Sequence, residues 1–186
     1  MSVQLLRRLF TVREYQQMAE AGILTKDDRV ELIKGEIVKM SPVGRRHAAC
    51  VKRLAKLFIV RLGSAVTVGV QDPVELDDST QPQPDLALLQ PREDFYESGH
   101  PKPGDILLVV EVADTTVEAD RQVKIPLYAE AGIPEVWLVD INEGCVEVHR
   151  HPSGEGYGEV LKCRRGESVV VGVFADVSFT VDEVLG

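Results

Sequence analysis

The chain has 186 residues, 44% of them hydrophobic and 27% charged, which places it among folded globular proteins and excludes disordered and low-complexity classes. Its length suits one domain with a substantial core, and residues 1–186 are read as a single domain. A net charge of −9 argues at first sight against a nucleic-acid partner, although the distribution of charge matters more than its sum.

Taken in order, the chain opens without a long apolar stretch, so neither a signal peptide nor a membrane span is expected, and the protein is read as cytoplasmic. Cys50, Cys145 and Cys163 are scattered, with no CxxC, as suits a reducing compartment without a zinc site or disulfide frame. Thr11 and Glu14 have capping-box spacing, predicting a helix that runs to about Ala21 and stops at Gly22. Residues 29–33 and 36–40 flank Lys34 and Gly35 and predict a β-hairpin. Residues 41–44 are a loop. Residues 45–61 hold Arg45, Arg46, Lys52, Arg53, Lys56 and Arg61 and no acid. Val51, Leu54, Ala55, Phe58 and Leu62 give that stretch the apolar stripe of a helix, with Lys52 and Lys56 on another face. This is a local phosphate-binding surface or a solvated helix face.

Residues 65–71 alternate as a strand, with Val66, Val68 and Val70 on one side. A polar turn ending at Thr80 and a Pro-rich segment, 81–84, follow. Pro84 and Pro91 bound a strand over 85–90. The loop 91–104 reads as mobile, and the apolar run 106–112 reads as a strand buried on both faces. A helical segment starts at Thr115 or Thr116 and reaches Ala131, with Pro126 kinking it or beginning its second half. Residues 135–140 and 145–149 form a strand pair, 154–158 a turn, and the chain from Leu161 alternates into short strands ending near Val184.

The chemistry concentrates between Pro84 and Lys124. If strands 85–90 and 106–112 are antiparallel neighbours, Asp85 faces Glu111 and Gln90 faces Ile106. Their Cβ atoms would be roughly 4.5–5.5 Å apart. Two carboxylates that close in an apolar wall require a cation, either a divalent metal with oxygen ligands or a nearby lysine such as Lys124. Asp120 precedes Lys124 by four residues and reads as its ion-pair partner on the helix. His149 and His151 lack an evident third metal ligand, and the glycines of 154–158 lack phosphate-loop spacing. Ser41, Ser64 and the cysteines have no His/Asp context for a hydrolase triad.

Several ordered pieces carry a resemblance. They are the run 30–36, Ser41-Pro42 with His47, Gln83-Pro84-Asp85, Val110-Glu111-Val112-Ala113, Asp120 with Lys124, and the run 128–140. Together they resemble the PD-(D/E)XK nuclease superfamily, and within it a large bacterial family of proposed restriction endonucleases whose function is unknown. The resemblance implies a restriction-endonuclease-like α/β (α+β) fold, a mixed central sheet flanked by α-helices. It implies a Mg²⁺-dependent DNA endonuclease, with Mn²⁺ able to substitute, and a homodimer. Asp85, Glu111 and the Val112 carbonyl would hold the metal, and Lys124 would orient the attacking water. Glu31 would act at the metal edge, and Gln71, His47 and Asp120 are lesser candidates. Arg45, Arg46, Lys52 and Lys56 would contact phosphates. One position departs from the pattern: Ala113 stands where the superfamily has lysine, so Lys124 would have to supply the ammonium. The alternative is a non-catalytic nucleic-acid-binding or self-assembling member of the same fold.

Overall fold

Thr11 and Glu14 form the expected capping box, and α1 (Val12–Glu20) starts there. β1 (Val30–Ile33) and β2 (Glu36–Lys39) form the expected antiparallel hairpin. Its turn needs Gly35: φ is +78°, and a Cβ there would lie 2.7 Å from that of Leu9. α2 (Arg45–Leu62) buries Val51, Leu54, Phe58 and Leu62 as its stripe predicts, with Cys50 added. The structure, a computed structural model, describes residues 7–186. Residues 1–6, part of the stretch read above as lacking a leader, lie outside the described residues. Among the described residues no helix is long and apolar enough to cross a membrane.

The centre is a six-stranded sheet in the order β3 (Thr67–Val70), β4 (Leu86–Leu89), β5 (Ile106–Ala113), β6 (Glu135–Asp140), β7 (Cys145–Ser153) and β8 (Gly156–Arg164). β5 and β6 are parallel, and the other neighbouring pairs are antiparallel. The result is a mixed sheet flanked by α-helices. Both faces are covered, which is why β4 and β5 read as continuous apolar runs. On one face Leu86, Leu88, Leu108, Val110, Val112 and Trp137 pack with Leu54 and Phe58 of α2 and with Phe179. On the other, Ala87, Leu89, Val109, Ala113 and Leu138 pack with Ile125, Leu127 and Tyr128.

The β4–β5 register follows the expectation from Leu86↔Val110 through Leu88↔Leu108. It then shifts, so that Leu89 faces Ile106 and Gln90 does not. A bulge absorbs the extra β5 residue, and the Gln90 N–H instead donates to the Asp105 carbonyl at 2.8 Å.

The helical stretch after β5 has three parts: α3 (Val117–Ala119), a π-turn (Asp120–Lys124) and α4 (Ile125–Glu130). Pro126 lacks an N–H and its ring crowds the carbonyl four residues back. The chain answers with a widened turn in which the Ile125 N–H donates to the Asp120 carbonyl.

The carboxy-terminal part departs from the reading as short strands alone. β9 (Ser168–Val171) and β10 (Phe174–Thr180) pair antiparallel, but residues from Val181 form a short helix, α5 (Val181–Leu185). A second capping box, Thr180 with Glu183, starts it. Loop 91–104 carries local hydrogen bonds of its own. The Asp94 carboxylate accepts from Arg92, from the Ser98 N–H and hydroxyl, and from the Tyr96 N–H, closing it into a knot.

Phe58 packs within 5.8 Å of Trp137 and 5.2 Å of Phe179, ring centre to ring centre, whereas neighbouring Ile59 is 56% exposed. Phe58→Ala should therefore cost about 3–5 kcal/mol in urea unfolding, and Ile59→Ala about 0.5 kcal/mol or less in either direction. Equal losses at the two positions would contradict this packing.

Candidate active site

Strand alternation puts Asp85 and Glu111 on the α4 side of the sheet, at opposite ends of neighbouring strands. Asp85 immediately precedes β4, and both residues line one cavity of about 310 Å³. Asp85 is fixed from three directions. Its Oδ2 accepts from the Val112 N–H at 2.9 Å and lies 2.9 Å from His47 Nε2. Its Oδ1 accepts from the Gln71 amide at 3.2 Å. His47 reaches it from the start of α2, and Gln71 from just after β3, where φ is +55°. That left-handed backbone is uncommon for a non-glycine residue and turns the chain back towards Asp85.

Glu111 is 3% exposed. Its Oε1 accepts from the Tyr128 hydroxyl at 2.6 Å and lies 3.3 Å from Lys124 Nζ. Both contacts use Oε1, which leaves Oε2 for the cavity. Lys124 Nζ also lies 3.4 Å from Glu31 Oε2. The Glu31 carboxylate accepts from the Gln83 N–H as well, at 3.1 Å, which ties the β1–β2 hairpin to the segment before Asp85. One ammonium therefore bridges two buried carboxylates from different elements.

Charge is unbalanced here. Glu31, Asp85, Glu111, Asp114 and Asp120 outnumber Arg29, Lys39 and Lys124 in this lining, and Lys124 is the cation that pairs with two of them. Burial is the largest influence on Glu111 and pushes its pKa up to about 8, against the pull of Lys124 and helped by the Asp85 charge. Burial alone would lower the Lys124 pKa, but Glu111, Glu31, Asp120 and Asp85 together outweigh it and raise the value. Burial likewise raises Asp120. His47 is raised chiefly by its hydrogen bond to Asp85. Both shifts run in the direction that keeps Lys124 charged and favours a proton on Glu111, which would offset part of the carboxylate repulsion.

The Asp120–Lys124 ion pair, the alternative to a Lys124 directed into the cavity, does not form. Asp120 accepts from the Thr116 hydroxyl at 2.7 Å, and Lys124 pairs with Glu31 and Glu111. The π-turn lies between them and breaks the stacking an α-helix gives residues four apart. The basic residues of α2 divide. Arg46 donates to Asp114 at 3.2 Å, to the Asn142 side chain at 2.9 Å and to the Ile141 carbonyl. Arg53 donates to the carbonyls of Val184 and Leu185. Arg61 pairs with Glu183 and lies over the Phe179 ring. Arg45, Lys52 and Lys56 have no ion-pair partner among the described residues and do not line the cavity. At about 100° per residue, Lys52 and Lys56 project from the side of α2 roughly opposite His47.

Sequence reasoning missed the part played by Tyr128, although its spacing of four residues after Lys124 put both on one helix face. It also missed Gln83, Thr116 and the Arg46 clamp on Asp114. Among the described residues no three His, Cys, Asp or Glu side chains converge as a metal-binding group. The His149 Nε2 is buried without a hydrogen bond, 3.7 Å from Glu147 Oε2, while His151 is exposed and has φ +60°.

The mixed sheet flanked by helices is consistent with the restriction-endonuclease-like fold in general terms. The profile of the family described as "Uma2: Putative restriction endonuclease" matches residues 12–182, and the chain belongs to that family. Membership points to the PD-(D/E)XK-like superfamily. A crystal structure described as a "putative nuclease belonging to DUF820" from Anabaena variabilis shares the fold, with a TM-score of 0.73 and 16% identity. The alignment covers 95% of this chain and 97% of that one. No curated protein matches.

A pH dependence follows. Folded Glu111 keeps its proton up to about 8, whereas the unfolded group releases it near 4.5. This stabilising contribution is full below the unfolded value and is lost as pH rises through the folded one. In a chelating buffer, stability from this group should fall between these values, by up to about 1.4 kcal/mol per pH unit for one proton. Asp120 and His47 are shifted in the same direction and add to the fall. Glu111→Gln should flatten it in urea titrations, and an unchanged slope would locate the proton elsewhere.

Proposed function

We propose that the chain is a Mg²⁺-dependent DNA phosphodiesterase of the restriction-endonuclease-like fold, with Mn²⁺ able to replace Mg²⁺. The observation that carries this reading is the Lys124 ammonium between Glu31 and Glu111, in the cavity that Asp85 also lines. The donor set suits a hard cation. Asp85 and Glu111 supply carboxylate oxygens. A strand residue's N–H and C=O leave by the same edge, so the Val112 carbonyl lies on the edge where its N–H meets Asp85. Two carboxylates and a carbonyl are fewer protein ligands than a dedicated cage has. Mg²⁺ commonly uses so few, with waters and phosphate oxygens completing its shell.

When bound, the cation supplies positive charge at the scissile phosphate and lowers the pKa of water. The rest falls to the chain. Lys124 orients the attacking water and offsets the negative charge that develops on the phosphate. Glu31 holds the lysine from the far side, and Tyr128 fixes Glu111 so that Oε2 faces the cavity. His47 and Gln71 hold the Asp85 carboxylate, and Asp120 adds to the field around Lys124. The α2 cations Arg45, Lys52 and Lys56, with the partly committed Arg46, offer phosphate contacts farther along a long substrate. A homodimer would set two such sites on the two strands of a duplex about a two-fold axis, and sizing at the assay concentration tests it.

The non-catalytic reading draws on Ala113, which is fully buried in the α4-side core. The two readings separate in one set of measurements. Under the nuclease reading, Mn²⁺ raises the melting temperature of the wild type and Asp85→Ala removes the shift. Lys124→Met, checked for folding by circular dichroism, keeps the shift but cuts turnover about 10²-fold or more. A wild type with no cleavage in either metal and no metal-induced shift would be the non-catalytic protein.

A further inference from the structure

This inference rests on the nuclease reading and concerns which nucleic acid the site takes. We propose that the substrate is an unpaired strand that enters the cavity over Arg29 and Lys39 of the β1–β2 hairpin, not an intact duplex.

The first argument is depth. Glu31 and Glu111 are 6% and 3% exposed, and the Asp85 and Lys124 side chains 13% and 14%. These groups form a floor, not a surface. The hairpin and segment 40–44 contribute one wall, and the stretch from Asp114 to Lys124 contributes the other. A cavity of about 310 Å³ accepts one small ligand, of the order of a nucleotide. A duplex carries its phosphates on the outside of a stiff cylinder. An unpaired strand can bend into such a recess, whereas a duplex brings its scissile phosphate to the floor only at the cost of deforming or unpairing.

The second argument is the character of the rim. Val38, Val43 and Val123 line the cavity and are 40%, 41% and 47% exposed. Against a duplex these apolar lips would desolvate charged backbone without replacing its hydrogen bonds. An unpaired nucleotide offers them a base face instead, the surface on which single strands are held without sequence reading.

The third argument is where free positive charge lies. Arg29 and Lys39 line this cavity, are exposed, and have no ion-pair partner among the described residues. Arg46, at the start of α2, does not line the cavity and is held by Asp114, Asn142 and Ile141. Arg29 also lines a second groove, where Lys26 is set against Glu20, Glu75 and Glu97. The strand is therefore gripped over a short length, by about two phosphates, and leaves at Arg29. Single-strand binding loses about 0.7 in log–log salt slope per phosphate contact, so removing both cations should flatten the slope by about 1.4.

The test uses the full chain with a fluorescent single-stranded oligodeoxynucleotide, its blunt duplex, and the same duplex with an internal unpaired bubble. Binding is read by anisotropy over a salt series in chelator, and cleavage in Mg²⁺ and Mn²⁺. The expected result is that single strand and bubble are bound and cut about 100-fold better than the duplex. R29Q/K39Q should remove the preference and flatten the salt slope. Equal or better cutting of the blunt duplex would overturn the inference while leaving the nuclease reading intact. Selective single-strand binding with no cleavage in either metal would do the reverse. Absence of binding to all three probes, or an R29Q/K39Q slope equal to wild type, would also overturn the inference.

Discussion

One lysine between two buried carboxylates is the constraint on which the remaining arrangement depends. Taking an ammonium out of water costs several kcal/mol, and Lys124 recovers that only if Glu31 and Glu111 are both in place. Glu31 comes from a hairpin outside the central sheet, Glu111 from the sheet, and Lys124 from the helix that follows it. The pair of contacts therefore fastens three separate pieces of backbone at one point. Excess acid at that point keeps the lysine charged, while burial, helped by the Asp85 charge, pushes Glu111 towards its neutral form. The site is strained by repulsion in a way that a divalent cation would relieve, because cation binding favours the deprotonated carboxylate.

The π-turn is where local chemistry meets this constraint. Pro126 prevents a regular α-helix through this stretch, and the chain could have answered with a break. Instead the turn from Asp120 to Lys124 widens by one residue. At roughly 100° per residue, such a change re-aims every side chain on one side of it relative to the other. Lys124 and Tyr128 then share a helix face and both reach Glu111 Oε1. Asp120, before the widening, turns to Thr116 instead.

Much of this was legible in the sequence because short-range rules decide it. Thr11 with Glu14, Lys34-Gly35, the apolar stripe of α2 and the two-faced β5 each follow from local capping, turn or burial chemistry. The facing of Asp85 and Glu111 followed from strand parity alone. What stayed hidden depends on contacts between distant elements. The bulge that moves Leu89 opposite Ile106 is a matter of fitting two strands of unequal course. The commitments of Arg46, Arg53 and Arg61 to partners far along the chain cannot be read from a run of basic residues. α5 is the exception: the Thr180–Glu183 capping signal was present but was overridden by the alternation preceding it.

The same distinction explains how the site can lack lysine on β5. Ala113 follows Glu111 by two residues and so faces the same side of the sheet. It is fully buried there, within the cluster that includes Ile125 and Tyr128. A lysine stem at 113 would have to displace that helix packing. From the helix, the stem approaches from the opposite wall and brings its ammonium to the same carboxylate. Under the proposed nuclease reading, what counts is a positive charge at Glu111 Oε1, not a particular strand position. The consequence is that site geometry here depends on how the helix docks on the sheet. Packing of Ile125, Leu127 and Tyr128 against Val109, Ala113 and Leu138 thus becomes part of how Lys124 is held in register with Glu111.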